Sequence, residues 1–367
     1  MTLNFSLPQL LKSMLDQGAS DLHVCAQTPP RIRIDGRLVP LQLAPLEPRD
    51  AMELCYSILT ETQKKRFEQQ KELDISFSVK NLARFRANIY FEQGSVAGAF
   101  RIIPFKIYSL EELGFPPIVS RLCNLPRGLV LVTGPTGSGK STTLSAMINH
   151  INETRFDHIV TIEDPIEFLH HHKNSVINQR ELGSDTDSFP RALKSVLRQD
   201  PDVVLIGELR DHETVAAALT VAETGHLVFG TLHTNSAVAT LNRIIDVFPP
   251  AQQSQIRTQL AMSLEAVISQ VLLPAKGGGR VQALEIMRIN TAVRSLIVEG
   301  KMNQIYSQMQ VGQEESGMQT LNQALLKLIE KRYIDQETAL SKSSQPDELA
   351  EMLSKAILSR ERKPGQR

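Results

Sequence analysis

A chain of 367 residues is long enough for two or three domains at roughly 150 residues each. With 41% hydrophobic and 22% charged residues, and 40 basic side chains balanced by 40 acidic ones, it reads as globular, without the global field a nucleic-acid or membrane-surface binder uses. Its three cysteines are too few and too scattered for a disulfide scaffold or a four-cysteine zinc site, so a reducing compartment is expected.

No apolar run approaches the ~20 residues needed to span a bilayer. The opening stretch MTLNFSLPQLLKSML has no basic segment ahead of its apolar residues, so no signal peptide is expected and the setting reads as cytoplasmic. Leu7, Leu10, Leu11, Met14 and Leu15 recur at helical spacing, and Gly18 is placed to stop that helix. RIRIDGRLV alternates polar and apolar residues around Asp35-Gly36, the signal of a type I′ hairpin. A helix is expected over residues 48–69, and ELDISFSV reads as a strand. In RFRANIYF, Phe85, Ala87, Ile89 and Phe91 point one way and Arg84, Arg86, Asn88 and Tyr90 the other. A two-residue turn at Gln93-Gly94 returns the chain along SVAGAFRII, setting Phe91 opposite Val96, Ala87 opposite Phe100 and Phe85 opposite Ile102. Arg86 then lies opposite Arg101, with Arg84 two positions along on the same face. Like charges opposed in a sheet repel, which leaves two explanations: a face screened by water, or a face that an anion visits. Prolines at 104, 116, 117 and 126 divide the chain into an N-terminal α+β domain over residues 1–104, a linker over 105–115 and a second domain over 116–367.

The second domain opens on GLVLVTGPTGSGKSTT. An apolar strand runs from Leu129 to Thr133. The phosphate-loop pattern of Gly134, Pro135, Thr136, Gly137, Ser138, Gly139, Lys140 and Ser141 follows, and then Thr142 and a helical run. Glycines let the backbone wrap phosphates with its N–H groups inward, and the helix N-terminus adds partial positive charge. Lys140 can reach the β- and γ-phosphates, and the Ser141 hydroxyl can ligate Mg²⁺. Three later apolar runs each end in polar residues, where open α/β sheets place their chemistry. HIVTIEDPIEF ends in Glu163 and Asp164, DVVLIGELRD in Glu208 with Arg210 beyond, and GHLVFGTLHTN has His226 before its strand and His233 at its end. Two acidic strand ends allow one carboxylate to orient Mg²⁺ and one to accept a proton from attacking water. Seven residues of strand separate His226 from His233 by about 23 Å, against a shared metal; His233 suits a hydrogen-bonding sensor of the γ-phosphate. The His170-His171-His172 run reads as a solvated loop, and ELAEMLSKAIL as a packed C-terminal helix ahead of a polar end.

GPTGSGKSTT, TIEDPIEF, LRQDPDVVLIGELRD and AETGHLVFGTLHTNSA stand in the order of the four boxes of the secretion-type ATPase superfamily. Over nearly its whole length the chain resembles the PilT-like retraction ATPases of type IV pili and twitching motility. The resemblance implies a PAS-like N-terminal domain, a RecA-like P-loop ATPase domain and a homohexameric ring using ATP and Mg²⁺. Lys140 and Ser141 match the Walker A residues, and Glu208 the Walker B acid, which meets Mg²⁺ through water. Glu163 matches the catalytic glutamate, and His226 and His233 the histidine box. Arg86 and Arg101, with Arg84, match arginines that approach nucleotide from the N-terminal domain. The same likeness implies an inner-membrane pilus platform protein as partner, a paralogous retraction ATPase alongside, no nucleic acid, and a cytoplasmic location at the inner membrane.

Two other readings belong beside this one. Pilus-assembly and type II secretion ATPases share the boxes, but typically carry a four-cysteine segment after the histidine box and a longer N-terminal region; here no cysteine follows Cys123. A non-catalytic nucleotide-binding ring scaffold is opposed by intact Lys140, Glu163 and Glu208. One departure is TAVRSLIVEGK, where these proteins have a stretch like AIRNLIREGK: Ser295 replaces an asparagine and Val298 an arginine. That change bears on coupling to the pilus machinery, not on ATP binding.

Overall fold

The computed structural model describes residues 5–34, 36–80, 82–103, 106–311 and 313–361. The chain divides into two compact units, Met1–Lys106 with Pro165–Leu169, and Ile107–Asp164 with His170–Arg367. Among the described residues no helix is long and apolar enough to cross a membrane.

The first unit runs α1 (Leu7–Asp16), β1 (Asp21–Val24), β2 (Arg31–Ile34), β3 (Arg37–Pro40), α2 (Pro48–Tyr56), α3 (Glu61–Gln70), β4 (Glu72–Val79), β5 (Ala83–Glu92) and β6 (Ser95–Ile103). Its six strands form one antiparallel sheet in the order β3-β2-β1-β6-β5-β4. The apolar stripe of α1 (Leu7, Leu10, Leu11, Met14) is buried with Phe85, Ala87, Ile89 and Phe100 of the sheet. Gly18, at φ +65°, takes the chain out of α1. The β5–β6 register is the expected one, with Arg86 opposite Arg101 and Ala87 opposite Phe100. Gln93 and Gly94 both have positive φ, as a two-residue hairpin turn requires. In the earlier hairpin Ile34 pairs with Arg37, but Asp35 of the expected turn lies outside the described residues. The single helix expected over 48–69 is two. Thr60 caps the second, accepting from Gln63 N–H while its own N–H donates to Gln63 Oε1 at 2.9 Å, a capping box that starts a new helix.

The second unit contains α4 (Pro117–Cys123), β7 (Gly128–Thr133), α5 (Lys140–Thr154), β8 (His158–Glu163), β9 (Val176–Glu181), α6 (Phe189–Val196), β10 (Val203–Ile206), α7 (His212–Glu223), β11 (Leu227–Leu232), α8 (Ala237–Asp246), α9 (Pro250–Ser263), β12 (Leu264–Pro274) and β13 (Arg280–Arg288). The helices α10 (Thr291–Val298), α11 (Ile305–Met309), α12 (Gln313–Ser316), α13 (Leu321–Glu330), α14 (Gln336–Lys342) and α15 (Pro346–Glu361) follow. Seven strands form a sheet in the order β13-β12-β7-β11-β10-β8-β9, parallel except for the edge strand β13. Alternate residues of β7 enter different cores: Leu129 and Leu131 face one, Val130 and Val132 the other. A sheet buried on both faces needs such continuous apolar strands.

Of the expected linker, Pro104 and Phe105 lie outside the described residues. Residues 107–115 belong to the second unit rather than to a free tether. Leu110 is buried there beside Ile118 and Leu122, with Leu113 and Phe115 packed against them. The C-terminal helix is packed as expected, Leu349 and Leu353 of α15 being buried with Leu321 and Leu325; residues 362–367 lie outside the description.

Candidate active site

The parallel register brings four strand ends into one row. Thr133, the last residue of β7, pairs with Leu232 of β11; Ile206 of β10 pairs with Gly230 on one side and Ile162 of β8 on the other. The phosphate loop, His233, Glu208 and Glu163 therefore leave the same edge of the sheet, in that order across it. At about 4.8 Å per strand, the row spans about 14 Å.

The loop's shape depends on contacts that only glycine permits. Gly134 has φ +143°, and a Cβ there would lie 2.3 Å from Gln270 O and 2.6 Å from Ser138 Oγ. Pro135, Thr136 and Gly137 form an exposed crown, Ser138 is buried beneath it, and Gly139 is the N-cap of α5. Lys140, Ser141 and Thr142 begin that helix, half-buried. The Lys140 ammonium donates to Gly134 O at 2.8 Å and Pro135 O at 3.2 Å. It lies folded over the loop that it would help to fill with phosphate.

Beneath the loop is a residue that the motif does not reveal. Gln270 on β12 is 1% exposed; its Nε2 donates to Ser138 O at 2.6 Å and its Oε1 accepts from Thr143 Oγ1 at 2.8 Å. The signal was a lone amide inside the apolar run LEAVISQVLLP.

Glu208 sits beyond β10 where Gly207 allows a close approach: a Cβ on Gly207 would lie 3.2 Å from Glu163 Cα. Gly207 N–H donates to Ile162 O, and Thr231 Oγ1 donates to Gly207 O, fixing this loop to both neighbouring strands. Arg210 Nη2 lies 2.7 Å from Glu208 Oε2 and His233 Nε2 3.4 Å from Oε1. Burial pushes the Glu208 carboxyl up, but Arg210 and His233 more than offset it, so it titrates below its ordinary value. Glu163 accepts from Thr161 Oγ1 at 2.6 Å and Gln179 Nε2 at 3.2 Å, which fixes its carboxylate at the strand end.

His226 is not brought to this row. It precedes β11 at the opposite end of the sheet, where its Nδ1 lies 2.9 Å from Val221 O and 3.1 Å from Thr224 Oγ1, closing the end of α7. The seven residue steps between the two histidines span about 23 Å of extended chain. The expected solvated run of histidines is also corrected at one position. His170 is half-buried with its N–H donating to Gln179 Oε1 at 2.8 Å, while His171 and His172 are exposed.

In the first unit, Arg86 and Arg101 share an exposed face as expected, and carboxylates from neighbouring strands answer their repulsion. Arg101 Nε donates to Asp21 Oδ1 at 2.7 Å across the β1–β6 ladder, and Arg86 Nη2 is 3.8 Å from Asp74 Oδ1. Burial pushes the Asp21 carboxyl up, but Ser20 and Arg101 more than offset it and hold it below its ordinary value. Arg84 is half-buried, opposite Ile103.

The donor set suits a hard cation: the Ser141 hydroxyl and the Glu208 carboxylate offer oxygens only. Among the described residues no cluster of three or more His, Cys, Asp or Glu could cage a metal alone.

The model of the type II/IV secretion system protein family matches residues 3–340. The chain belongs to this family. It is 50% identical over 341 residues to the type IV pilus retraction ATPase PilT of Pseudomonas aeruginosa, covering 93% of this chain and 99% of that one. It is 48% identical to a twitching motility protein of Neisseria gonorrhoeae, covering 94% and 92% of the two chains. A crystal structure of the pilus retraction motor PilT with bound ADP superposes with a TM-score of 0.90 at 49% identity, covering 95% of this chain and 100% of that one. The likeness covers the seven-stranded second unit, consistent with a RecA-like ATPase domain of this family.

Proposed function

We propose that this chain is an ATP-hydrolysing motor that powers retraction of type IV pili. The observation that carries the reading is half-identity to a retraction ATPase over 93% of the chain, joined to an intact phosphate loop facing two acidic strand ends. Phosphates entering the loop would replace Gly134 O and Pro135 O as acceptors for Lys140, while the inward N–H groups and the start of α5 offset their charge. Ser141, and Glu208 through water, would hold Mg²⁺, which would supply positive charge against the phosphates. Glu163, aimed by Thr161 and Gln179, is the base for the attacking water. His233 donates to the γ-phosphate region and reports its presence to Glu208. Arg86 and Arg101, with Arg84, supply further charge from the hairpin face, whose exposure suits a visiting phosphate.

The working particle is a homohexamer docked on an inner-membrane pilus platform protein, on the cytoplasmic side, with a paralogous retraction ATPase able to share the work. Steady-state ATP hydrolysis by the wild type and by Glu208→Ala tests the chemistry: the variant should lose most turnover while still binding ADP, and equal rates would remove Glu208 from the reaction. A deletion strain tests the direction of work. It should keep abundant surface pili yet fail to twitch; absence of pili would instead indicate an assembly motor.

A further inference from the structure

Thr133, Ser269 and Glu285 stand side by side on β7, β12 and β13, at 0%, 3% and 3% exposure. Thr133 is the root of the phosphate loop. The first turn of α8 lies over this polar row. Thr240 Oγ1 is 3.4 Å from Thr133 Oγ1 and 2.7 Å from Thr234 Oγ1. Ala237 N–H, the first of α8, donates to Glu285 Oε1 at 2.6 Å. This buried carboxyl group thus answers the first N–H of α8. Four residues before Ala237 is His233, which lies 3.4 Å from Glu208. Removing a carboxylate from water is costly, and a well-packed apolar residue often serves stability as well. A polar group kept at this buried joint therefore calls for a role beyond packing.

We propose that Glu285 is a positioning residue for the nucleotide site. It pins α8, and through it the His233 loop, against the root of the phosphate loop. The catalytic part of this inference rests on the ATPase reading above; the positioning part does not.

The test compares full-length wild type, Glu285→Gln and Glu285→Met by amide hydrogen exchange and by ATP turnover. Glu285→Met leaves the Ala237 N–H unanswered, so exchange over residues 233–240 should rise by about tenfold or more. Glu285→Gln keeps one acceptor oxygen and should show a smaller rise in the same segment. Exchange over residues 134–142 should stay unchanged. The kcat for ATP should fall by about tenfold with KM within about twofold, because the phosphate cradle is untouched. Unchanged exchange over 233–240, a uniform rise across the whole unit, or a change in KM alone would overturn the proposal. A wild type with no ATP turnover would remove the motor reading, and the exchange pattern would still decide the positioning role. Should Glu285→Met fail to fold, the isosteric Glu285→Gln decides.

Discussion

Gln270→Leu removes the amide beneath the phosphate loop at nearly constant volume. The two partners it abandons are unequal. Thr143 Oγ1 keeps an acceptor, Gly139 O at 3.1 Å, so its loss is small. Ser138 O loses the 2.6 Å bond from a side chain that is 1% exposed. A buried carbonyl left unanswered costs about 1–3 kcal/mol. The loop can escape part of that cost by opening, which lets water reach Ser138 O but spoils the inward aim of the N–H groups. If loop opening absorbs about 1–2 kcal/mol, the competent fraction falls and the apparent Kd for ADP rises about 5- to 30-fold. The remainder appears as lowered stability, about 2–4 °C of Tm per kcal/mol for a unit of this size. Titration calorimetry with ADP and a thermal scan measure both shares. Wild-type affinity together with a wild-type Tm would refute the reasoning, because the abandoned carbonyl must register in one of the two.

Arg86→Ala and Arg101→Ala should each depress ATP turnover far more than a surface change, by as much as ~10³-fold if either acts as an arginine finger, and near-normal rates in both would end that role. The pH dependence of stability tests His170, whose ring is pushed down by burial, with Lys173 and His171 adding to the effect, from an ordinary value of 6.5 to about 4. The unfolded chain then takes up this proton first as pH falls, so stability present above pH 6.5 is lost progressively toward pH 4, by about 3 kcal/mol. His170→Gln should lack that component: in denaturant titrations its stability relative to wild type should rise by about this amount from pH 7 to pH 4, and parallel pH profiles would contradict the burial of the ring.

The parts of the fold legible in the sequence are those fixed by neighbours along the chain. Alternation in RFRANIYF and the Gln93-Gly94 turn set a hairpin register that needs no knowledge of other strands, so Arg86 facing Arg101 could be written down from local pattern alone. The acidic partners could not. Asp21 and Asp74 reach those arginines because β1 and β4 flank the hairpin, and strand order in an antiparallel sheet is not a local property. The helix break is also written locally, Thr60 and Gln63 having the spacing of a capping box. Gln270 and Glu285 belong to a third kind. Each is a polar residue within an apolar strand run, visible as an anomaly, yet its partner lies 132 or 48 positions away in the chain. An anomaly marks the position; only the sheet order names what it serves.

Sheet order also explains how one edge holds its charges before any phosphate arrives. Lys140 is answered by Gly134 O and Pro135 O, and Glu208 by Arg210 and His233. A phosphate therefore exchanges partners instead of meeting bare charge, and the exchange is unequal along the row. Lys140 would give up neutral carbonyls for anionic oxygens, adding direct charge–charge attraction to bonds that are already charge-assisted. Arg210 and His233 already face a carboxylate, so a phosphate must outcompete Glu208 for them or leave them in place. On the proposed reading, binding energy would be gained at β7, while choice between partners would be made at β10 and β11. The first event needs only a loop of glycines and a lysine, which is why a short motif suffices to find it. The second needs the ends of separate strands brought level by a shared register, and that is where discrimination between a bound triphosphate and diphosphate can act on the elements behind the sheet.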